Sequence, residues 1–153
     1  MSVNEMSVFS IGGANEAFEP YFIGQSYLNM LSEGPIVIGN VTFEPKCRNN
    51  WHIHHADKDG GQMLLVTAGE GWYQEWEKPT KRLTPGEVVH IPAGVKHWHG
   101  AKKDSWFSHI AVEVPKKLSK RERELLEELA EEMGEDVNEE KRSPLQKLRD
   151  IFE

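Results

Sequence analysis

Turn-forming glycine and proline punctuate this chain at short intervals as far as Pro115; after it there is no glycine but Gly134 and no aromatic residue but Phe152. The breaks fall at Glu44-Pro45, Gly60-Gly61, Ala68-Gly69-Glu70-Gly71, Thr84-Pro85-Gly86 and Pro92-Ala93-Gly94. Between them lie short β-rich runs at the spacing of a sandwich or barrel. The runs predict strands at 34–43, 49–54, 62–67, 71–77, 87–91, 96–101 and 105–114, with an early strand around 21–28. The expectation is an all-β chain, a single antiparallel β-barrel or jelly roll over 21–115. Residues 1–20 form an arm before it and 116–153 a charged helical tail after it. In the tail, Ser119-Lys120-Arg121-Glu122 is a capping box, and Leu125, Leu126, Leu129, Ala130 and Met133 make one apolar stripe. That predicts a helix over 119–133, and a second short one from Ser143-Pro144.

Length and charge limit what such a chain can do. At 153 residues it suits one domain with an appendage. A net charge of −7, without a dense basic run, argues against nucleic acid as a partner. No segment approaches the roughly 20 apolar residues that span a bilayer, and the N-terminus has no basic region leading into an apolar stretch. A soluble, cytoplasmic protein with no membrane partner is expected. The single cysteine, Cys47, can form no internal disulfide and reads as a structural, buried thiol.

All seven histidines lie between positions 52 and 109. Alternate residues of a strand share a face, so His52 and His54 should point the same way about 7 Å apart, a separation one cation can bridge. Pro92 and Gly94 bend the chain so that His97 can reach them from another strand. His55 and His90 read as structural or exposed. The tryptophans at 51, 72, 76, 98 and 106 read as core and rim residues, some of them lining an apolar pocket that keeps water from the metal.

Residues 51–101 resemble the two signature motifs of the cupin superfamily: His52-x-His54 with Gln62 and Gly69, then Gly86, Pro92, Gly94 and His97 in unbroken spacing. The resemblance implies a cupin barrel with one divalent transition metal, held by His52, His54, His97 and a third-ligand residue that directly precedes an apolar run. Gln62 has that position, where the family normally has glutamate. The extra segment Ala56-Asp57-Lys58-Asp59 leaves Asp57, Asp59 and His55 as alternatives. Three imidazoles and an amide leave the ion its full charge, which suits Mn, Zn or Fe acting as a Lewis acid on polar bonds.

Asn40-Val41-Thr42-Phe43-Glu44-Pro45, Gly61-Gln62, Lys96-His97-Trp98-His99-Gly100 and Ser108-His109-Ile110-Ala111 resemble the small cupins grouped with carboxymuconolactone decarboxylase-like proteins. That group includes manganese hydroxynitrile lyases, a likeness that implies Mn ahead of Zn or Fe. This likeness implies a metal-dependent lyase on a small carbonyl or hydroxy compound, with His109 as proton acceptor. His99 is the alternative base, or a residue that orients a ligand. The structural alternative for His109 is a buried ring bonded to a carbonyl. A non-catalytic, ligand-binding cupin and a cupin stapled by its metal are the competing functions. The likeness also implies a homodimer with a small-molecule substrate or ligand. Val114-Pro115-Lys116-Lys117-Leu118-Ser119 and the charged run after it are similar to the C-terminal tail of J-domain co-chaperones, which implies at most a dimerising helix.

Overall fold

A computed structural model describes residues 3–56 and 59–114, with 121 and 128 as isolated positions beyond them. The helices expected in the tail lie outside these residues. By backbone contacts the chain divides into two units, Met1–Lys117 and Leu118–Glu153. In chain order the elements are α1 (Val3–Met6), β1 (Gly13–Ala14), a 3-10 helix (Glu16–Tyr21), β2 (Phe22–Ile23), β3 (Ser26–Glu33), β4 (Val37–Phe43), β5 (Arg48–Asn49), β6 (Gln62–Gly69), β7 (Gly71–Glu75), β8 (Lys81–Leu83), β9 (Val88–Ile91), β10 (His97–Ala101) and β11 (Phe107–Glu113). Among the described residues, no helix is long and apolar enough to cross a membrane.

The strands pair antiparallel in two sheets, β1-β3-β4-β11-β6-β9 and β2-β5-β10-β7-β8. The all-β expectation holds, and of the two forms expected, barrel or jelly roll, the two sheets are the jelly-roll form: among the described residues the hydrogen-bonded order does not close, ending at β1 and β9 in one sheet and at β2 and β8 in the other. Two of these edges are only two residues long, and Pro85, which has no N–H to give a ladder, lies between the other two. Each sheet contributes one face to a shared core. Phe43, Leu64, Ile91 and Phe107 come from the first sheet and Leu83 from the second, all with no exposed surface. The Phe43 ring centroid lies 5.6 Å from that of Phe22 and 5.7 Å from that of Phe107, joining β2 of the second sheet to the core of the first.

Three strand expectations change. The strand expected at 49–54 shrinks to β5 and an isolated bridge between His52 and His97. The carbonyl of Asn50 is taken by the His52 ring at 2.8 Å, and the Asn50 N–H by Tyr21 at 2.8 Å, so no ladder continues there. The early strand runs further than expected, as β3. β8, Lys81-Arg82-Leu83, has no apolar alternation and forms by pairing with β7. At the end of β6, Gly69 has φ +68°, and a Cβ there would lie 1.8 Å from the carbonyl oxygen of Trp106. Only glycine allows β11 to approach so closely.

The central strands place the polar groups of the interior. Side chains alternate along β11, so Phe107, His109, Ala111 and Glu113 lie on one face. Register sets Glu113 opposite Gln62 of β6, and His109 opposite Val41 of β4.

Candidate metal centre and its cavity

Two backbone connections bring distant segments together. His52 and His97 exchange both main-chain hydrogen bonds at 3.0 Å, and Gly94 N–H donates to the His54 carbonyl at 2.9 Å. Gly94 has φ +82°, which lets the Pro92-Ala93-Gly94 turn fold against His54. The rings that result are close: centroids of His52 and His97 are 4.2 Å apart, and those of His52 and His54 5.1 Å, nearer than ideal strand alternation predicts. One ring nitrogen from each of His52, His54 and His97 lies within 4.8 Å of the others, so the three could hold one metal ion.

Hydrogen bonds set which nitrogen each ring offers. A carbonyl can only accept, so His52 Nδ1–H donates to Asn50 O and His97 Nδ1–H to Val95 O, each at 2.8 Å. Both rings therefore present Nε2 as a lone pair. His54 Nδ1 faces a carboxylate oxygen of Glu113 at 3.4 Å, which leaves its Nε2 in the same role. The buried Nε2 atoms of His54 and His97 and the Oε1 of Gln62 have no hydrogen-bond partner among the described residues. An orphaned buried acceptor costs about 1–3 kcal/mol. Lone-pair atoms left bare within one site fit a cation. Burial holds the His52 imidazole below its usual range and takes His97 down to about 4, so neither competes for a proton at neutral pH.

Gln62 stands on the wall of the same cavity, its Nε2 donating to Glu113 Oε1. Of the alternatives, His55 and Asp59 are exposed and Asp57 lies outside the described residues. His90 is exposed on edge strand β9.

His99 and His109 are buried beside the three histidines, their ring centroids 4.9 Å apart. Asn49 fixes the His99 ring. Its Oδ1 accepts the His99 backbone N–H at 2.8 Å, so its Nδ2 must be the atom 3.0 Å from His99 Nε2. Nε2 thus accepts, and Nδ1 carries the ring proton with no partner among the described residues. Both ring nitrogens of His109 likewise lack a well-formed hydrogen bond among the described residues, though the Ile110 backbone lies against the ring and favours its protonated form. Burial lowers His109 to about 4 and His99 well below the ordinary imidazole range, so both are neutral at neutral pH.

The cavity measures about 380 Å³, and its walls beyond the polar groups are largely apolar: Phe18, Tyr21, Phe22, Leu28, Met30, Val37, Val41 and Ala111. No tryptophan lines it, against expectation. Trp51 packs at 5.1 Å and 79° on Trp76, Trp98 donates to Gln74, and Arg48 and Lys96 lie over the Trp98 and Trp76 rings. The aromatic wall comes instead from residues 18–22, whose 3-10 helix carries no helical or strand period to mark it. Asn49 and Glu113 were missed for a different reason: their partners lie 50 and 51 residues away.

Residues 39–112 match the family described as Cupin domain, and residues 121–153 that described as Chaperone protein DnaJ C-terminal region. A protein named (R)-mandelonitrile lyase from Granulicella tundricola is 39% identical over 97 residues, covering 61% of this chain and 71% of that one. The crystal structure of a cupin-like protein from Thermotoga maritima is 38% identical with a TM-score of 0.63, covering 69% of this chain and 79% of that one. An RmlC-like cupin with a double-stranded β-helix fold from Methanocaldococcus jannaschii, at 14% identity and TM-score 0.52 over 61% of this chain and 84% of that one, shares the fold alone. With the sheets, the histidine cluster and these matches in agreement, the chain belongs to the cupin family.

Proposed function

We propose that this protein is a metal-dependent lyase of the hydroxynitrile lyase-like cupins, holding one divalent transition ion, Mn before Zn or Fe, through His52, His54, Gln62 and His97. Its substrate class is a cyanohydrin with an apolar substituent, cleaved to a carbonyl compound and hydrogen cyanide or formed from them. The observation that carries the reading is the set of bare lone-pair atoms on His54, His97 and Gln62, of which His54 and Gln62 line an apolar cavity walled also by two neutral histidines, His99 and His109. The 39% identical relative named (R)-mandelonitrile lyase supports the substrate class.

The ion, when bound, supplies Lewis acidity toward a hydroxyl or carbonyl oxygen. The chain's own groups do the rest. Phe22, Leu28, Met30 and Val41 receive the substituent and exclude water. Neutral His109 takes the hydroxyl proton. The O–H electron pair becomes the carbonyl π bond while the pair of the breaking C–C bond leaves with cyanide, and the proton on His109 passes to cyanide to give HCN. His99, its proton held on Nδ1 by Asn49, donates a hydrogen bond to the charge that develops.

Elemental analysis of the purified protein beside His52→Ala/His97→Ala, with benzaldehyde release from mandelonitrile followed by absorbance, tests this directly. Near-stoichiometric metal absent from the variant, with turnover that follows metal content, is expected. A protein that takes up no metal even on reconstitution, or a loaded one that turns over no cyanohydrin, would overturn it.

A further inference from the structure

Glu113 stands between two of the groups assigned to the ion. Its Oε1 accepts from Gln62 Nε2, and its Oε2 lies 3.4 Å from His54 Nδ1. The strand register that sets Glu113 opposite Gln62 makes this bridge a property of the β6–β11 pairing. Both neighbours need an acceptor on their far side if they are to turn a lone pair inward. Gln62 must give up its N–H to expose Oε1, and His54 must keep its proton on Nδ1 to expose Nε2.

Resting on the metal reading above, we infer that Glu113 is a positioning residue for the metal site. One carboxylate fixes the amide orientation of Gln62 and the tautomer of His54 together. It also supplies, one bond network out from the ion, the negative charge that an all-neutral ligand set of three imidazoles and an amide lacks. An amide at 113 has only one oxygen to face two donors, so its NH₂ must confront either Gln62 Nε2 or His54 Nδ1. Exchanging the two residues removes that conflict. In Gln62→Glu/Glu113→Gln, the amide of residue 113 donates to the new carboxylate and its oxygen accepts from His54 Nδ1–H.

The test reads Mn(II) affinity by competition with a chelating indicator, and the ring ¹⁵N shifts of His54 in metal-free protein, for the wild type, Glu113→Gln, Glu113→Ala, the exchange variant and His97→Ala. Glu113→Gln and Glu113→Ala are expected to bind Mn(II) about 10–100-fold more weakly, with mixed His54 tautomers and an unchanged thermal midpoint, and the exchange variant to recover to within about threefold. If His97→Ala binds as tightly as wild type, the metal reading itself fails. If His97→Ala loses the ion while both Glu113 variants keep wild-type affinity and His54 shifts, the inference about Glu113 fails and the metal reading stands. An exchange variant that folds but binds no better than Glu113→Gln would overturn the positioning argument as well.

Discussion

Asn49 holds His99 at two points, its Oδ1 on the backbone N–H and its Nδ2 on the ring Nε2, and so decides which ring nitrogen carries the proton inside the cavity. In Asn49→Asp the group facing Nε2 becomes an acceptor, which moves the ring proton to Nε2 and leaves Nδ1 as a lone pair. Cyanohydrin turnover is expected to fall about 100-fold or more with metal content unchanged. Ring ¹⁵N shifts of His99 read the tautomer independently, and a wild-type pattern in the variant would remove the basis of the prediction.

Val41 lines the cavity and pairs in register with His109. Val41→Phe should project its ring into that space, so substrate is excluded while the ligands are untouched. The expected outcome is a rise in KM of about tenfold or more, with Mn(II) affinity within about twofold of wild type; overpacking costs about 1–3 kcal/mol, which the cavity's open volume should reduce. A variant that binds and turns over mandelonitrile normally would mean that the substrate lies elsewhere.

Two glycines separate steric contact from backbone strain. Gly94 has φ +82° and nothing within 4 Å of where a Cβ would stand, whereas Gly69 at φ +68° would press its Cβ onto the carbonyl of Trp106. Gly94→Ala is expected to lose about 1 kcal/mol, the cost of holding alanine in the left-handed region, and Gly69→Ala at least about 2 kcal/mol more. Urea midpoints compare them, and equal losses would show that β11 can retreat from β6.

Cys47 has 1% of its surface exposed, and burial pushes its thiol up to about 12. Roughly one molecule in 10⁴ would be thiolate at pH 8, and the sulfur is shielded besides. Ellman's reagent is expected to leave the native protein unlabelled over an hour and to react in full once urea unfolds it. Rapid labelling of the folded protein would contradict the buried position.

What was legible in advance had a local pattern to carry it. His52, His54 and His97 stood out because His-x-His and the Gly-x5-Pro-x-Gly-x2-His spacing each lie within one short stretch, and the turn residues marked six of the strands to within a few residues. Glu113, Asn49 and Phe18 had no such mark. Glu113 matters only because β11 pairs with β6 in one register, and a shift of one residue would turn it to the other face. Asn49 matters because β5 lies against β10. The tryptophans misled for a related reason: a large aromatic side chain signals burial of area, not which side of a sheet it covers, and Trp51, Trp76 and Trp98 found one another and two cations instead of the cavity.

The paired main-chain bonds between His52 and His97 have a consequence for how the site is filled. A clip made of peptide groups does not loosen when the side chains it carries release what they hold. The socket should therefore keep its shape when emptied, and ions should exchange on a folded protein rather than drive its folding. Which one resides there then becomes a matter of cellular supply set against the general order of divalent affinities, so that the same chain produced in manganese-rich and zinc-rich cells would emerge carrying different ions.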